Sequence, residues 1–278
     1  ILTHEFLFNR GALSVFRAAY TFVKDSYHLK QGLWPSVARE FAVAGRILPL
    51  LRSKLDAKWD SLVVATDACN SGWGSVVVEQ PENVVRSIGQ WEEKWRFRRL
   101  PPDEWAPRRR ALVATESLDL VSDPRALGSQ LHSFTESDEH YFDPIPIPSE
   151  FSFGERLGFP EVDQRGWEWQ ERRAGRFRFE ESISVKEGRA SLWELEYDLR
   201  DPSHHGKRML RLVDNFGVAL AFAKGRAGSF GLLTLTRRLG ALRLATGTIP
   251  LFRWIASELN CSDGPSRKFE NLNCDRQE

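Results

Sequence analysis

Between Trp34-Pro35 and Leu51, apolar side chains return at Val37, Phe41, Ala44, Leu48 and Leu51. Alternating steps of four and three are the helical period, so residues 1–58 are expected to be a helical segment with one apolar stripe. The pattern changes at Ser61. In SLVVATDACNSGWGSVVV, two apolar runs flank a centre rich in turn formers, Asn70, Ser71, Gly72 and Gly74, which predicts strand, turn, strand. Periodicity is lost from about 85 to 175, where WEEKWRFRRL and PRRR precede an acidic stretch with Pro144, Pro146, Pro148 and Pro160. Such a stretch reads as a long insertion, part of it folded on the surface or without fixed structure.

Alternation resumes at Arg176 in RFRFEESISV, which predicts a strand, followed by a helix from Lys186 to about Leu199 that Pro202 and Gly206 end. MLRLVDN is a short strand closing on Asp214, and VALAFA continues as a helix to Gly225. Ser229 to Ala245 is a helix with Leu232, Leu235, Leu239 and Leu242 at helical spacing, and Ser229 is its expected N-cap. TIPLFRWIAS is the last strand, and CSDGPSR opens a short final helix. Strand, strand, insertion, strand, helix, strand, helix, helix, strand is the order of an α/β domain with a mixed sheet.

The 278 residues with 41% hydrophobic content suffice for a sizeable core, and no apolar run approaches the ~20 residues that span a bilayer. No partner membrane is expected. The N-terminus ILTHEFLF is not a signal peptide, and Met209 is the only methionine, so the chain is expected to be excised from a longer polypeptide. Cys69, Cys261 and Cys274 lack metal-ligand spacing, which suits a reducing intracellular compartment.

The net charge of +1 conceals two opposed blocks. Ser117 to Asp163 has ten Asp/Glu against two Lys/Arg; Lys207 to Arg253 has nine Lys/Arg against the single acid Asp214. The basic block fits either a solvated helix face or a surface that neutralises phosphates. Asp67 ends the first strand and Asp214 another, places where a carboxylate is costly unless metal or hydrogen bonds compensate it. Taken singly, each acid also fits a turn or helix cap, Asp67 before Ala-Cys-Asn and Asp263 before Gly-Pro-Ser.

Four motifs in order then carry a family resemblance: TDAxxxGWG at Thr66–Gly74, ISVKEGRA at Ile183–Ala190, VDN at Val213–Asn215, and WIASELNCSDGPSR at Trp254–Arg267. Over residues 59–270 the chain resembles the ribonuclease H domain of retroelements, most closely the one following the reverse transcriptase in DIRS-type tyrosine-recombinase retrotransposons. The resemblance implies a ribonuclease H-like mixed five-stranded sheet flanked by helices, the insertion lying at about 85–175. Residues 1–58 become the tail of the reverse transcriptase or its connection, and 271–278 a C-terminal tail. It further implies that Asp67, Glu187, Asp214 and Asp263 are catalytic and hold two Mg²⁺ or Mn²⁺ ions. Asp67 would bridge both ions, Glu187 and Asp214 the one near the leaving group, and Asp263 the one that activates water.

The implied substrate is the RNA strand of an RNA–DNA hybrid, with Lys224, Arg226, Arg237, Arg238 and Arg243 as candidate phosphate contacts. Glu194, seven residues after Glu187 and on nearly the same helical face, competes for the second place. The chain departs from the family in two respects: the first two acids are 120 residues apart, and no histidine lies between Trp254 and Asp263. The polymerase is not in this chain, which lacks an aromatic-x-Asp-Asp turn. Competing readings are a non-catalytic nucleic-acid-binding module and an integrase or exonuclease of the same broad fold. His204 and His205 are expected to be simply exposed, and Trp193 and Trp254 to pack in the core.

Overall fold

A computed structural model of the chain describes residues 6–27, 30–100 and 152–270. It divides into two compact units, Ile1–Glu93 with Pro160–Glu278, and Lys94–Phe159. In chain order, a 3-10 segment (Phe6–Val15) precedes helices α1 (Ala18–Ser26) and α2 (Pro35–Ile47), strands β1 (Leu62–Ala68) and β2 (Gly72–Glu79), and helix α3 (Glu82–Gly89). The smaller unit holds β3 (Phe97–Leu100) paired antiparallel with β4 (Ser152–Glu155). There follow β5 (Gln170–Arg176), α4 (Ile183–Asp198), β6 (Arg208–Val213), α5 (Phe216–Lys224), α6 (Phe230–Thr246), β7 (Ile249–Trp254) and the one-turn α7 (Asp263–Ser266).

The larger unit is built on a mixed five-stranded sheet in the order β5-β2-β1-β6-β7. β1 pairs antiparallel with β2 and parallel with β6; β6 and β7 are parallel, β2 and β5 antiparallel. The period-2 alternation of the central strands fills two cores. Met209 and Val213 of β6 face Leu192 and Leu195 of α4, Phe222 of α5 and Leu235 and Leu239 of α6. Leu210 and Leu212 face the other way, with Val63 and Ala65 of β1, Val85 of α3 and Val162.

Arg211 lies between Leu210 and Leu212, so alternation carries it inside on the helix side, fully buried, where it pairs with Asp198 at the end of α4. Arg253 of β7 is equally buried: its Nε donates to Glu93 at 2.6 Å, and its other nitrogens donate to the carbonyls of Ile88 and Pro160. Two of the nine cations of the basic block are therefore interior counter-charges. Among the described residues, no helix is long and apolar enough to cross a membrane.

Three boundaries differ from the sequence-based expectation. The N-terminal helices end at Leu50, and the chain reaches Trp59, which bridges to Arg208, without further helix. Within the supposed insertion, α3 is an ordered helix with Val85 wholly buried. The strand expected to begin at Arg176 instead ends there. Gln170–Arg176 is an edge strand whose pairing with β2 is bulged at Ser75/Val76, so Arg172 and Arg173 both reach Glu194 and no alternation is left to read. The residues following it, up to Ser182, form the approach to α4. Residues 101–151, which hold most of the acidic block, lie outside the described residues, as does the tail 271–278.

Candidate metal centre

Parallel pairing of β1 with β6 brings Asp67, near the end of β1, and Asp214, just past β6, to the same edge of the sheet. α4 begins there too and carries Glu187 in its second turn. One carboxylate oxygen from each of Asp67, Glu187 and Asp214 lies within 4.8 Å of the other two. These acids line a cleft of about 360 Å³ together with Cys69, Asp263 and Arg267. Asp263 is thus on the cleft wall, but its carboxylate accepts a 2.7 Å hydrogen bond from Arg267 Nε. Glu194 is elsewhere: it pairs with Arg172 and Arg173 beside Tyr197, about 10 Å further along α4 at 1.5 Å per residue.

The electrostatics of the trio are those of a site short of positive charge. Burial, with the charges of Asp214 and Asp67 beside it, pushes Glu187 up to about 10, so the folded protein holds it as a carboxylic acid at neutral pH. Burial also raises Asp67, against the Ser266 hydroxyl that donates to Asp67 Oδ2; the Asp214 charge adds to the rise. Glu187 Oε2 and Asp214 Oδ1 are buried and accept no hydrogen bond. Three convergent carboxylates with orphaned buried oxygens suit a hard divalent cation such as Mg²⁺ or Mn²⁺.

The glycines of GWG explain how α7 joins this site. A Cβ on Gly74, opposite Asp67 in the β1–β2 ladder, would meet Ser266 N at 2.5 Å and Pro265 C at 2.6 Å; one on Gly72 would meet Ser266 O at 2.7 Å. Only a bare backbone lets α7 descend far enough for Ser266 to reach Asp67. Gly74→Ala is expected to cost about 1–3 kcal/mol in urea denaturation, as overpacking does, and to lower affinity for Mn²⁺. A variant with native stability would show that α7 is not held by this contact.

Two further supports were not legible in the sequence. Trp254 Nε1 donates to the Asp214 carbonyl at 2.7 Å, and Asn215 caps α5 by accepting from Val218 N, so the residues flanking the Asp214 side chain are pinned. Lys186 Nζ donates to the Asn70 carbonyl at 2.7 Å, tying α4 to the β1–β2 turn. The TDA and GWG motifs signalled a tight turn, but not what would rest on it.

The candidate phosphate contacts divide. Arg237 Nε donates to the Ser14 carbonyl at 3.0 Å, Arg238 pairs with Glu196, and burial together with the Arg10 charge lowers Arg243 to about 10, against the opposing pull of the Glu92 carboxylate. Lys224, Arg226, Arg237 and Arg238 are all exposed, the last two with these partners, and Arg243 is partly buried. Ser229 caps α6 as expected, accepting from Leu232 N. His204 is not simply exposed: its Nδ1 lies 2.5 Å from Asp60, at the opposite end of β6 from the acids, and His205 Nε2 lies 2.9 Å from the Leu199 carbonyl. Trp193 is half-buried against Trp73 and Phe177. No protein-family model and no curated protein matches the chain.

Proposed function

We propose that this chain is a metal-dependent nuclease of ribonuclease H-like fold that hydrolyses the RNA strand of RNA–DNA hybrids. Its setting would be a retrotransposon polyprotein, after the reverse transcriptase, inside the cell. The observation that carries the reading is the meeting of Asp67, Glu187 and Asp214 from β1, α4 and the end of β6, with two orphaned oxygens among them. The order of acids and strands agrees with the four motifs that suggested the family.

Asp67, Glu187 and Asp214, with Asp263 on the wall, are the residues that would hold two divalent cations, which when bound supply positive charge against the charge gathering on the scissile phosphate. The chain's own residues prepare that role. Ser266 and the tight α7 contact fix the Asp67 carboxylate, and Trp254 fixes the backbone at Asp214. Glu187, protonated while the site holds only its neighbouring carboxylates, would have to give up that proton to serve as a ligand. Water would attack phosphorus and give a proton to solvent as the bond to the 3′ oxygen breaks and that oxygen takes a proton from solvent, so that the products are a 5′-phosphate and a 3′-hydroxyl. RNA is distinguished by its 2′-hydroxyls.

The test is incubation of hybrids labelled on either strand with Mg²⁺ and with EDTA. Cleavage of the RNA strand alone, and only with Mg²⁺, is expected; cutting of the DNA strand, or none of either, refutes the reading. Arg267 bears on the same site, because its guanidinium neutralises Asp263 and acts on Asp67. Arg267→Ala is expected to tighten Mn²⁺ binding in calorimetry while leaving stability within about 1 kcal/mol, since the pair is half-exposed. Unchanged Mn²⁺ affinity would exclude Arg267 as a counter-ion of the site.

A further inference from the structure

Glu194 and Asp198 follow Glu187 by seven and eleven residues, so the three side chains leave α4 in nearly the same direction. At one end of this face Glu187 meets carboxylates; at the other, Glu194 and Asp198 meet guanidiniums. Arg173 Nη1 donates to Glu194 Oε1 at 2.9 Å, and Arg172 Nη1 lies 3.8 Å from Glu194 Oε2. Arg172 Nη2 lies 2.5 Å from Asp198 Oδ1, and Arg211 Nη2 donates to Asp198 Oδ2.

The sheet delivers these cations to α4 from two sides. β5 and β6 are separated by β2 and β1, the strands against which α4 packs through Ala190. Arg211 comes from β6. From β5 come two consecutive residues, which in a regular strand would face opposite ways; the irregularity opposite Ser75/Val76 leaves Arg172 as the extra residue, and both reach the helix. Glu194, Asp198 and Arg211 are almost wholly buried, so removing one partner leaves a charge uncompensated in the interior.

Little else on this face fixes the rotation of α4. Buried residues occupy most of its circumference, so apolar burial by itself specifies that rotation weakly. Ser191, between the two ends of the acidic face, has a buried hydroxyl that makes no hydrogen bond. The site nevertheless demands an exact rotation, since one oxygen each from Asp67, Glu187 and Asp214 must lie within 4.8 Å of the other two. Crowding like groups in this way is unfavourable, and α4 has to be kept seated by attraction elsewhere. Lys186, bound to the Asn70 carbonyl, holds its first turns, and the guanidiniums hold its last. Charge-assisted hydrogen bonds suit that task because they are both strong and directional.

We propose that Arg172, Arg173 and Arg211, acting through Glu194 and Asp198, are positioning residues of the acidic centre: they fix the rotation of α4 and so hold Glu187 against Asp67 and Asp214. The inference rests on the reading of the trio as a metal centre, but not on cleavage or on the identity of a substrate. Glu194 thereby gains a task of its own, anchoring the helix that carries Glu187.

The test combines calorimetric titration with Mn²⁺ and amide hydrogen exchange in EDTA, on the full chain at a temperature where each variant is folded by circular dichroism. Arg173→Met leaves Arg172 beside Glu194 and replaces a side chain that meets α4 at Glu194 and Tyr197. It is expected to weaken Mn²⁺ binding at least ~10-fold, as loss of a residue supporting a metal ligand does, and to speed exchange across residues 183–190, two turns away. Arg173→Lys keeps the cation and should restore most of both. Glu194→Gln keeps the shape and the acceptor, should change both in the same direction by a smaller factor, and decides the matter if Arg173→Met does not fold. Val85→Ala, buried on the other face of the sheet, lowers stability as a control and should keep native Mn²⁺ affinity.

Native Mn²⁺ affinity and native exchange across 183–190 in the folded variants would overturn the positioning role, as would an equal loss in Val85→Ala. A native chain that binds no Mn²⁺ would sink the metal centre; exchange across 183–190 would then decide the anchor alone, faster in Arg173→Met sustaining it and unchanged overturning it. A native chain that binds Mn²⁺, with variants that bind it equally well, would keep the metal centre and remove the anchor.

Discussion

On the proposed nuclease reading, Asp67→Asn is expected to abolish hybrid cleavage, with a loss of ~10³-fold or more corresponding to about 4 kcal/mol of activation free energy, while hybrid binding in EDTA stays native. Asparagine is close in shape, and its amide oxygen still accepts from Ser266, so α7 keeps its seat. What disappears is one of three carboxylate charges within 4.8 Å of one another. The paired readout is thermal: in EDTA the variant should melt at or above the native temperature, because a buried like charge has been removed. Mg²⁺ should then raise the native melting temperature but not the variant's. A variant that cuts hybrid at the native rate would remove Asp67 from the mechanism, whatever its melting behaviour.

The second large effect is on stability against pH. Glu187 titrates near 4.5 when unfolded and near 10 when folded. Below 4.5 both states are protonated and pH has no leverage through this group. Between 4.5 and 10 the folded state keeps a proton that the unfolded state has lost, so stability falls with rising pH by up to ~1.4 kcal/mol per unit. Asp67, also raised, contributes with the same sign from its own unfolded value of 3.8 upward. Urea denaturation from pH 5 to 9 in EDTA should show this decline, and Glu187→Gln should flatten it. Identical slopes in the two proteins would disprove the Glu187 contribution. On the proposed metal-binding role, a cation would have to displace the Glu187 proton, so Mn²⁺ affinity should rise over the same range in the native chain.

Both expectations concern residues legible in the sequence to different degrees. Asp67 and Asp214 stood out because each ends a run of apolar strand residues, and parallel pairing of those runs brings the acids together. Glu187 could not be separated from Glu194 by pattern. Seven residues apart on one face of α4, both are buried, but Glu187 meets two carboxylates and Glu194 meets two guanidiniums. Asp263 was visible as a helix start, yet its engagement by Arg267 was not. Part of the basic block does not add to the electropositive surface, since Arg211 and Arg253 are spent inside and Arg237 and Arg238 have partners from distant segments. β5 escaped detection because an edge strand with a bulge needs no apolar alternation.

The amino-acid sequence alone determined the central strands, helices α4 to α6, the α/β class and the strand-end positions of Asp67 and Asp214. Each follows from hydrophobic periodicity, which records which side of an element is buried. Only the tertiary structure decided what each buried side faces: Ser266 reaching Asp67 across 199 positions, Glu187 crowded by acids while Glu194 is neutralised, and Arg17 laid over Phe230. Burial costs a charged or polar group its hydration wherever it lies. Its neighbours, brought from far along the chain, determine whether that cost leaves a carboxylate paired, protonated or in need of a cation.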